Sequence, residues 1–257
     1  DISQRAIKIL KNVNLIACED TRQTIKILNR FEIKNNLISF NKHNSFSKIT
    51  NLIEILKSGK SIALVSDAGM PSICDPGEEL IKTAKSRGID VICIPGPCAA
   101  ITALVSSGMP SSGFIFEGFL PKKKKEREGI LSEINKNNKT TILYESPHRL
   151  KKLLKEIKEI CGEESEIQVS RELTKKYEEN ICSNINKVLD YFENKEIIGE
   201  ITIVIRGRER KKESEYDQFE LKKDLTELVN AGLSLSAASK YLAKKKKIKK
   251  STIYNLY

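Results

Sequence analysis

The sequence predicts an α/β fold, two α/β domains followed by a small C-terminal helical region, and three observations carry that prediction. Apolar runs of strand length alternate with amphipathic helical stretches from Asp1 to about Gly207, and over the first domain this is the pattern of a parallel sheet with helices on both faces. The apolar runs end in loops dense in glycine, proline and short polar residues, of which "ALVSDAGMPSICDPG" at 63–77 is the most abrupt. Glycine opens backbone angles closed to other residues and proline fixes its own, so this loop has one shape rather than many. Beyond Gly207 the strand pattern stops and the chain turns lysine-rich and helical. The expected boundaries are 1–110 and 111–207 for the two α/β domains and 208–257 for a linker and basic helical tail.

The elements follow in order. "DISQRAIKILKNV" spaces Ile2, Ala6, Ile7, Ile9, Leu10 and Val13 as a helix, with Asp1 as its cap. "NLIACE" reads as a strand, "TRQTIKILNRF" as a helix, "NLISF" as a short strand and "SKITNLIEILKSG" as a helix stopped at Gly59. "SIALVSDAG" is a strand and "EELIKTAKSRG" a helix that Asp75 would cap, unless the loop before it holds a ligand. "DVICIPGP" is a strand and "CAAITALVSSG" a helix. After "SSGMPSSG" come the strand "FIFEGFL", the lysine block "KKKKER" from Lys122, the helix "GILSEINKN" and the strand "KTTILYES". "PHRLKKLLKEIKEICG" is a long amphipathic helix with Pro147 at its first position. "EIQVSREL" and "EITIVIRG" are the last strands and flank the helical "INKVLDYFEN". A doubly wound unit normally opens on a strand. This chain opens on a helix without a methionine, so a natural N-terminal strand ahead of Asp1 is expected.

The net charge is +11 over 257 residues, and it is placed rather than spread. From Asn230 to Tyr257 there are seven lysines and no acid, and the block at Lys122 is a second concentration. Such patches point to an anionic partner. Six cysteines (Cys18, Cys74, Cys93, Cys98, Cys161, Cys182) never form C-x-x-C, and only His43 and His148 could join them, so no structural zinc site is expected. Reduced thiols fit a cytoplasmic protein, with no signal peptide and no apolar run of the ~20 residues that span a bilayer.

The familiar nucleotide loops are missing. There is no G-x-x-x-x-G-K-[ST] and no G-x-G-x-x-G after a strand, which takes the main support from the ATPase and ordinary dinucleotide-binding readings, and a serine nucleophile elbow is also absent. What remains is a set of rigid strand-end loops: "CEDTRQT", "NKHNSFS", "SDAGMPSICDPG", "PGPCAAITAL", "YESPHR" and "SREL".

In this order and spacing, "EDTR", "SDAGMPSICDPG", "PGPCAAITALVSSGMP", "FEGFLP", "YESPHRL" and "SRELTK" resemble the tetrapyrrole methylase superfamily, from Asp1 to about Gly207. More narrowly they resemble its ribosomal RNA branch, which methylates the 2′-oxygen of a cytidine in small-subunit (16S) ribosomal RNA. The resemblance implies two α/β domains of the tetrapyrrole methylase type, a homodimer, and S-adenosyl-L-methionine held in the cleft between the domains. Family members carry at the front a strand and a proline-containing loop that this chain does not show. By the same resemblance Asp67, Met70, Pro97, Cys98, Ala99, Leu143 and Tyr144 would touch the donor.

Methyl transfer to a ribose hydroxyl asks for in-line placement, a hydrogen-bond acceptor near the hydroxyl and cations for the flanking phosphates. No metal is needed. The matched motifs offer Glu19, Asp20, Glu117 and Glu145 as acceptors, and Arg22, Arg149, Arg171 and Lys175 as substrate holders, with Arg22 and Arg149 placed at the reaction centre. Structural roles compete for several of these. Arg22 can simply pair with Asp20, His148 can serve a helix start, His43 can be a loop hydrogen-bond former, and Glu145 and Glu172 can be strand-end or cap residues.

The tail reads as three short helices, with Ser236 and Ser251 as caps of the last two, in an arrangement like a helix-turn-helix. Its lysines fit contact with ribosomal RNA or the 30S subunit. Two other functions compete: methylation of a corrinoid or sirohaem precursor, which gives the basic tail no purpose, and a helix-turn-helix regulator, which gives the strand-end loops none.

Overall fold

The computed structural model describes residues 1–42, 44–208, 218–246 and 249–257, with backbone alone at 218 and 219. His43 and most of the charged linker "RERKKESEYDQ" lie outside the described residues. The chain divides into two compact units, Asp1–Gly207 and Arg208–Tyr257.

The first unit holds two sheets. In the first, β1 (Leu15–Cys18) lies between β2 (Leu37–Ser39) and β3 (Ile62–Val65), all parallel. Successive side chains of a strand point to opposite faces, and β1 shows the consequence. Ala17 joins a core with Phe40, Leu52, Ile53 and Leu80, while Ile16 and Cys18 join another with Leu10, Leu28 and Ile33. Helices α1 (Gln4–Asn12), α2 (Thr21–Arg30), α3 (Ser45–Lys57) and α4 (Glu78–Ser86) supply those partners, as a parallel sheet buried on both faces requires. α1 is capped by Ser3, whose Oγ accepts from the Ala6 amide, and not by Asp1. α4 is capped by Gly77 and not by Asp75.

The segment 90–97, expected as a strand, pairs with no strand among the described residues. Val91 and Ile92 are 44% and 71% exposed. Its β-branched residues suit a pleated, half-buried surface, but a ladder needs a neighbour and none is present there.

The second sheet runs in the order β4 (Phe114–Phe119), β5 (Thr140–Glu145), β8 (Ile201–Ile205), β6 (Glu166–Arg171), β7 (Glu179–Asn184). Only β4 and β5 are parallel, because β8 enters antiparallel between β5 and β6, and β7 folds back on β6 after a short connection. The second sheet is therefore mixed, whereas the first is all parallel as expected. β7 escaped the sequence reading because "ENICSN" holds only two apolar residues, adjacent Ile181 and Cys182, between asparagines that seldom occur in strands. On one face Leu143, Val169 and Ile203 pack under α6 (Lys124–Lys136), α7 (Pro147–Cys161) and α8 (Ile185–Glu193), through Leu131, Leu154 and Phe192 among others. α6 starts inside the lysine block rather than after it.

The opposite face is covered by α5 (Ala99–Ser107), a helix that the sequence grouping 1–110 assigns to the first domain. Ala100, Ala103 and Leu104 pack on Ile142 and Val204, and Gln168 Nε2 donates to the Ala103 carbonyl at 3.1 Å. α5 thus carries the loop that precedes it onto the second sheet.

In the tail unit, α9 (Gln218–Asn230), α10 (Leu235–Lys246) and α11 (Lys250–Tyr254) share a core of Leu225, Ala238, Leu242 and Ile253. Ser234, rather than Ser236, caps α10 by accepting from the Ala237 amide, and Lys249 precedes α11 with Ser251 inside it.

Candidate active site

A cleft of about 590 Å³ opens where the carboxyl ends of β1 and β3, the start of α5, the ends of β4, β5 and β6 and the start of β8 converge. Its walls include Glu19, Asp67, Met70, Asp75, Pro97, Cys98, Ala99, Phe119, Tyr144, Glu145 and Lys175.

The wall from the first sheet is the loop 66–77. Ser66 Oγ donates to the carbonyls of Ala68 and Gly69 at 3.2 and 3.3 Å, curling the chain immediately after β3. Ser72 and Cys74 take left-handed backbone angles, φ 71° and 65°, which side chains with a Cβ occupy at a cost. Gly77 has φ 150°, and a Cβ there would meet Ser72 Oγ at 2.3 Å and Leu64 Cδ2 at 2.7 Å. Across the cleft, Gly118 leaves room for Cys74 Sγ, 2.8 Å from where its Cβ would lie, so "FEGF" needs its glycine. The β1 loop is tied to this wall reciprocally: the Asp20 amide donates to Asp67 Oδ1 at 3.1 Å, and the Asp67 amide to Glu19 Oε2 at 3.4 Å.

Three carboxylates, Glu19, Asp67 and Asp75, therefore share one side of the cleft. Burial pushes the Asp75 carboxyl up to about 6, and the charge of Glu19 adds to this, while Lys42 and a hydrogen bond from Ser66 oppose it. Asp75 is a cleft residue that the sequence reading left as a possible helix cap. The signal that could have found it is the glycine at 77, which takes the cap position itself.

On the opposite wall Tyr144 sits between Phe116 and Phe119, ring centroids 5.0 and 5.6 Å away, both edge-on. The Ala100 amide at the start of α5 donates to its hydroxyl oxygen at 3.2 Å. Burial pushes the phenol up to about 12, so it stays protonated as a donor. Glu145 is almost wholly buried; its Oε1 accepts from the Ser146 amide, and its Oε2 has no hydrogen bond but lies 3.3 Å from the Arg149 guanidinium. Lys175 reaches the cleft from a loop in which Glu172 and Thr174 have positive φ, and it pairs with Glu172 at 2.9 Å and Glu200 at 3.1 Å. A Cβ at Gly199 would strike the Glu172 side chain at 2.5 Å, so that loop too requires a glycine.

Six sequence candidates are not brought to the cleft lining. Asp20 caps α2 and grips Arg22 through both carboxylate oxygens, which holds its carboxyl down at about 2. The Arg22 side chain is 87% exposed. Leu143 is fully buried in the core on the far face of the sheet, since its neighbour Tyr144 takes the cleft side. Glu117 is exposed at the irregularity in β4. Arg149 holds Glu145 and donates to the Leu120 carbonyl at 2.9 Å, and Arg171 pairs with Glu179 at 3.1 Å. Arg149 thus reaches the cleft only through Glu145.

Comparison with known proteins adds the remaining evidence. The family model described as Tetrapyrrole (Corrin/Porphyrin) Methylases matches residues 1–188. A Bacillus subtilis protein named ribosomal RNA small subunit methyltransferase I is 42% identical over 261 aligned residues, covering 100% of this chain and 89% of that protein. Its Thermotoga maritima namesake is 44% identical, covering 81% and 93%. Among solved structures, a cobalt precorrin-4 methyltransferase of cobalamin biosynthesis superposes with a TM-score of 0.61 at 16% identity, covering 80% of this chain and 88% of that one. A Thermus thermophilus uroporphyrin-III C-methyltransferase complexed with S-adenyl homocysteine gives 0.54 at 13% identity, covering 79% and 90%. Those two likenesses concern the fold. With motif order, two-sheet architecture and full-length relatives in agreement, the chain belongs to the tetrapyrrole methylase family, in the group of ribosomal RNA small subunit methyltransferase I.

Proposed function

We propose that this protein transfers a methyl group from S-adenosyl-L-methionine to the 2′-oxygen of a cytidine in small-subunit (16S) ribosomal RNA. The observation that carries the reading is the convergence of "SDAG", "PGPCAA", "FEGF", "YESP" and "LTK" on one cleft, in a chain whose full-length relatives bear that enzyme name. The cleft suits such a donor. Asp67 has one oxygen engaged by the Asp20 amide and a second for an ammonium or ribose hydroxyl, and Pro97, Ile73 and the Tyr144 ring offer apolar surface for a base. When bound, S-adenosylmethionine supplies an electrophilic methyl on a sulfonium. The rigid loops 66–77 and 95–100 fix its position, and orientation of this kind contributes roughly 7–11 kcal/mol to such reactions. Glu145 or Asp75 accepts the hydroxyl proton, and Lys175 faces the anionic substrate.

The two α/β domains 1–110 and 111–207 act as a cytoplasmic homodimer on naked RNA or the 30S subunit. The tail 208–257, with 13 basic and 7 acidic residues, adds phosphate contacts that position without reading sequence. No helix among the described residues is long and apolar enough to cross a membrane. The corrinoid or sirohaem alternative is less favoured, because identity to the tetrapyrrole enzymes above is 13–16%.

The test is incubation of the protein with labelled S-adenosylmethionine and small ribosomal subunits, tetrapyrrole precursors or duplex DNA. Label should enter 16S RNA at a cytidine ribose, and Asp67→Ala should weaken donor binding in calorimetry while the protein stays folded. Label in a tetrapyrrole, or undiminished donor affinity in that variant, would overturn the reading.

A further inference from the structure

The rim of the cleft carries a feature that methyl transfer does not explain. Phe119, the last residue of β4, lines the cleft yet is 56% exposed. This exposed ring is held in place by its surroundings. It stands edge-on to Tyr144, which is itself fixed by the Ala100 amide.

Directly after it the chain runs Leu120, Pro121 and then four lysines, Lys122 to Lys125, all exposed. The loop beneath them is anchored from below. Arg127, 3% exposed, forks onto buried Glu156 and donates to the carbonyls of Pro121 and Lys122, both at 2.9 Å. Arg149 donates to the Leu120 carbonyl at 2.9 Å. Two arginines thus fix three consecutive carbonyls. Lys123 and Lys124 pair with Glu126 and Glu128, whereas Lys122 and Lys125 make no ion pair among the described residues.

We propose that Phe119 and the lysines behind it form a docking platform for single-stranded RNA at the mouth of the cleft. The Phe119 ring stacks on an unpaired base, and Lys122 and Lys125 hold the phosphates that flank it. Single-stranded RNA offers unstacked bases to aromatic rings and a backbone to cations, and this rim presents both in adjacent residues. The inference rests on the RNA substrate proposed above and deepens it by assigning where the strand enters.

The experiment uses the full chain with a labelled single-stranded oligocytidylate. Phe119→Ala, titrated in the absence of donor, should lower RNA affinity by roughly 5- to 150-fold, the range of one lost base stack. The chain contains no tryptophan, so Phe119→Trp gives a single indole, excited apart from the seven tyrosines, whose emission the RNA should quench while affinity is kept. Joint Lys122→Gln and Lys125→Gln should flatten the salt dependence by about 0.7 logarithmic units per lost contact. Unchanged affinity in Phe119→Ala, or unquenched emission in Phe119→Trp, overturns the platform. So does a change of oligomeric mass in Phe119→Ala, which would assign the ring to a protein interface. A wild-type protein that fails to methylate small subunits would sink the proposed function instead, whatever these variants do.

Discussion

The two sheets of the Asp1–Gly207 unit arise from similar alternations of strand and helix, yet their strands are enclosed to different degrees. Every residue of β8 is buried, as are five of the six in β5, whereas β2 and β3 have none that is fully buried. The larger core lies under the second sheet, together with the buried Arg127–Glu156 pair. The loop 66–77 and its strained Ser72 and Cys74 belong to the first. The second sheet thus carries the larger apolar core, while strained loops from both halves, 66–77 after β3 and 172–174 after β6, shape the cleft.

The largest effect expected from breaking this contrast is at Arg127. Arg127→Ala leaves Glu156 as an uncompensated buried charge and should cost about 3–5 kcal/mol in urea unfolding. It should also loosen the 120–122 loop. A loss below about 1 kcal/mol would mean that solvent reaches the pair and that the second sheet owes little to it.

A paired truncation sharpens the comparison. Leu143→Ala, in the fully packed second core, should cost about 2–5 kcal/mol. Leu64→Ala, in the partly open first sheet, should cost clearly less, because its site can relax and part of the side chain already meets water. Equal losses would abolish the distinction between the halves.

A smaller effect belongs to Asp75. Its carboxyl is raised from 3.8 to about 6 in the folded chain by burial, so folding favours the protonated form. Below about pH 4 both states hold the proton and the residue is neutral toward stability. As pH rises through about 6 the folded chain must ionise a partly buried group, and stability is lost. Asp75→Asn should therefore unfold like the wild type in acid and be more stable above about pH 7, by on the order of 1 kcal/mol after solvent screening. Thermal melts across that pH range check it; a gain of equal size in acid would point to packing instead of charge.

The smallest effect is at Arg22. Its pair with Asp20 is solvent-exposed, so Arg22→Ala should leave the unfolding midpoint unmoved within error. Any fall in methylation by that variant would then report RNA contact from outside the cleft, and full activity would make Arg22 a helix-start residue only.

Much of the candidate site came from the family resemblance of the strand-end motifs. Asp67, Met70, Pro97, Cys98, Ala99 and Tyr144 were carried over from it, and all line the cleft. Leu143 was misplaced because a strand alternates faces, and which of two neighbours faces the cleft is decided only by what packs on each side. Asp75 looked like a cap because aspartate before a helix usually is one, yet Gly77 took that position. Phe119 gave no sign of exposure, since an aromatic at a strand end reads as core.

Local sequence accounts for most of the strand and helix alternation up to Gly207, for the three helices of the tail and for the loops in which glycine and proline allow a single path. These depend on side-chain period and backbone angles within a few neighbouring residues. Tertiary packing alone set that 90–97 pairs with no strand among the described residues, that "ENICSN" forms an edge strand and that β8 inserts antiparallel between β5 and β6. It alone carried α5 across to the second sheet and gathered Glu19, Asp67 and Asp75 on one side of the cleft. Ladder pairing, burial and the raised Asp75 carboxyl are properties of groups far apart in the chain, and no local pattern encodes how many neighbours or how much water each will meet.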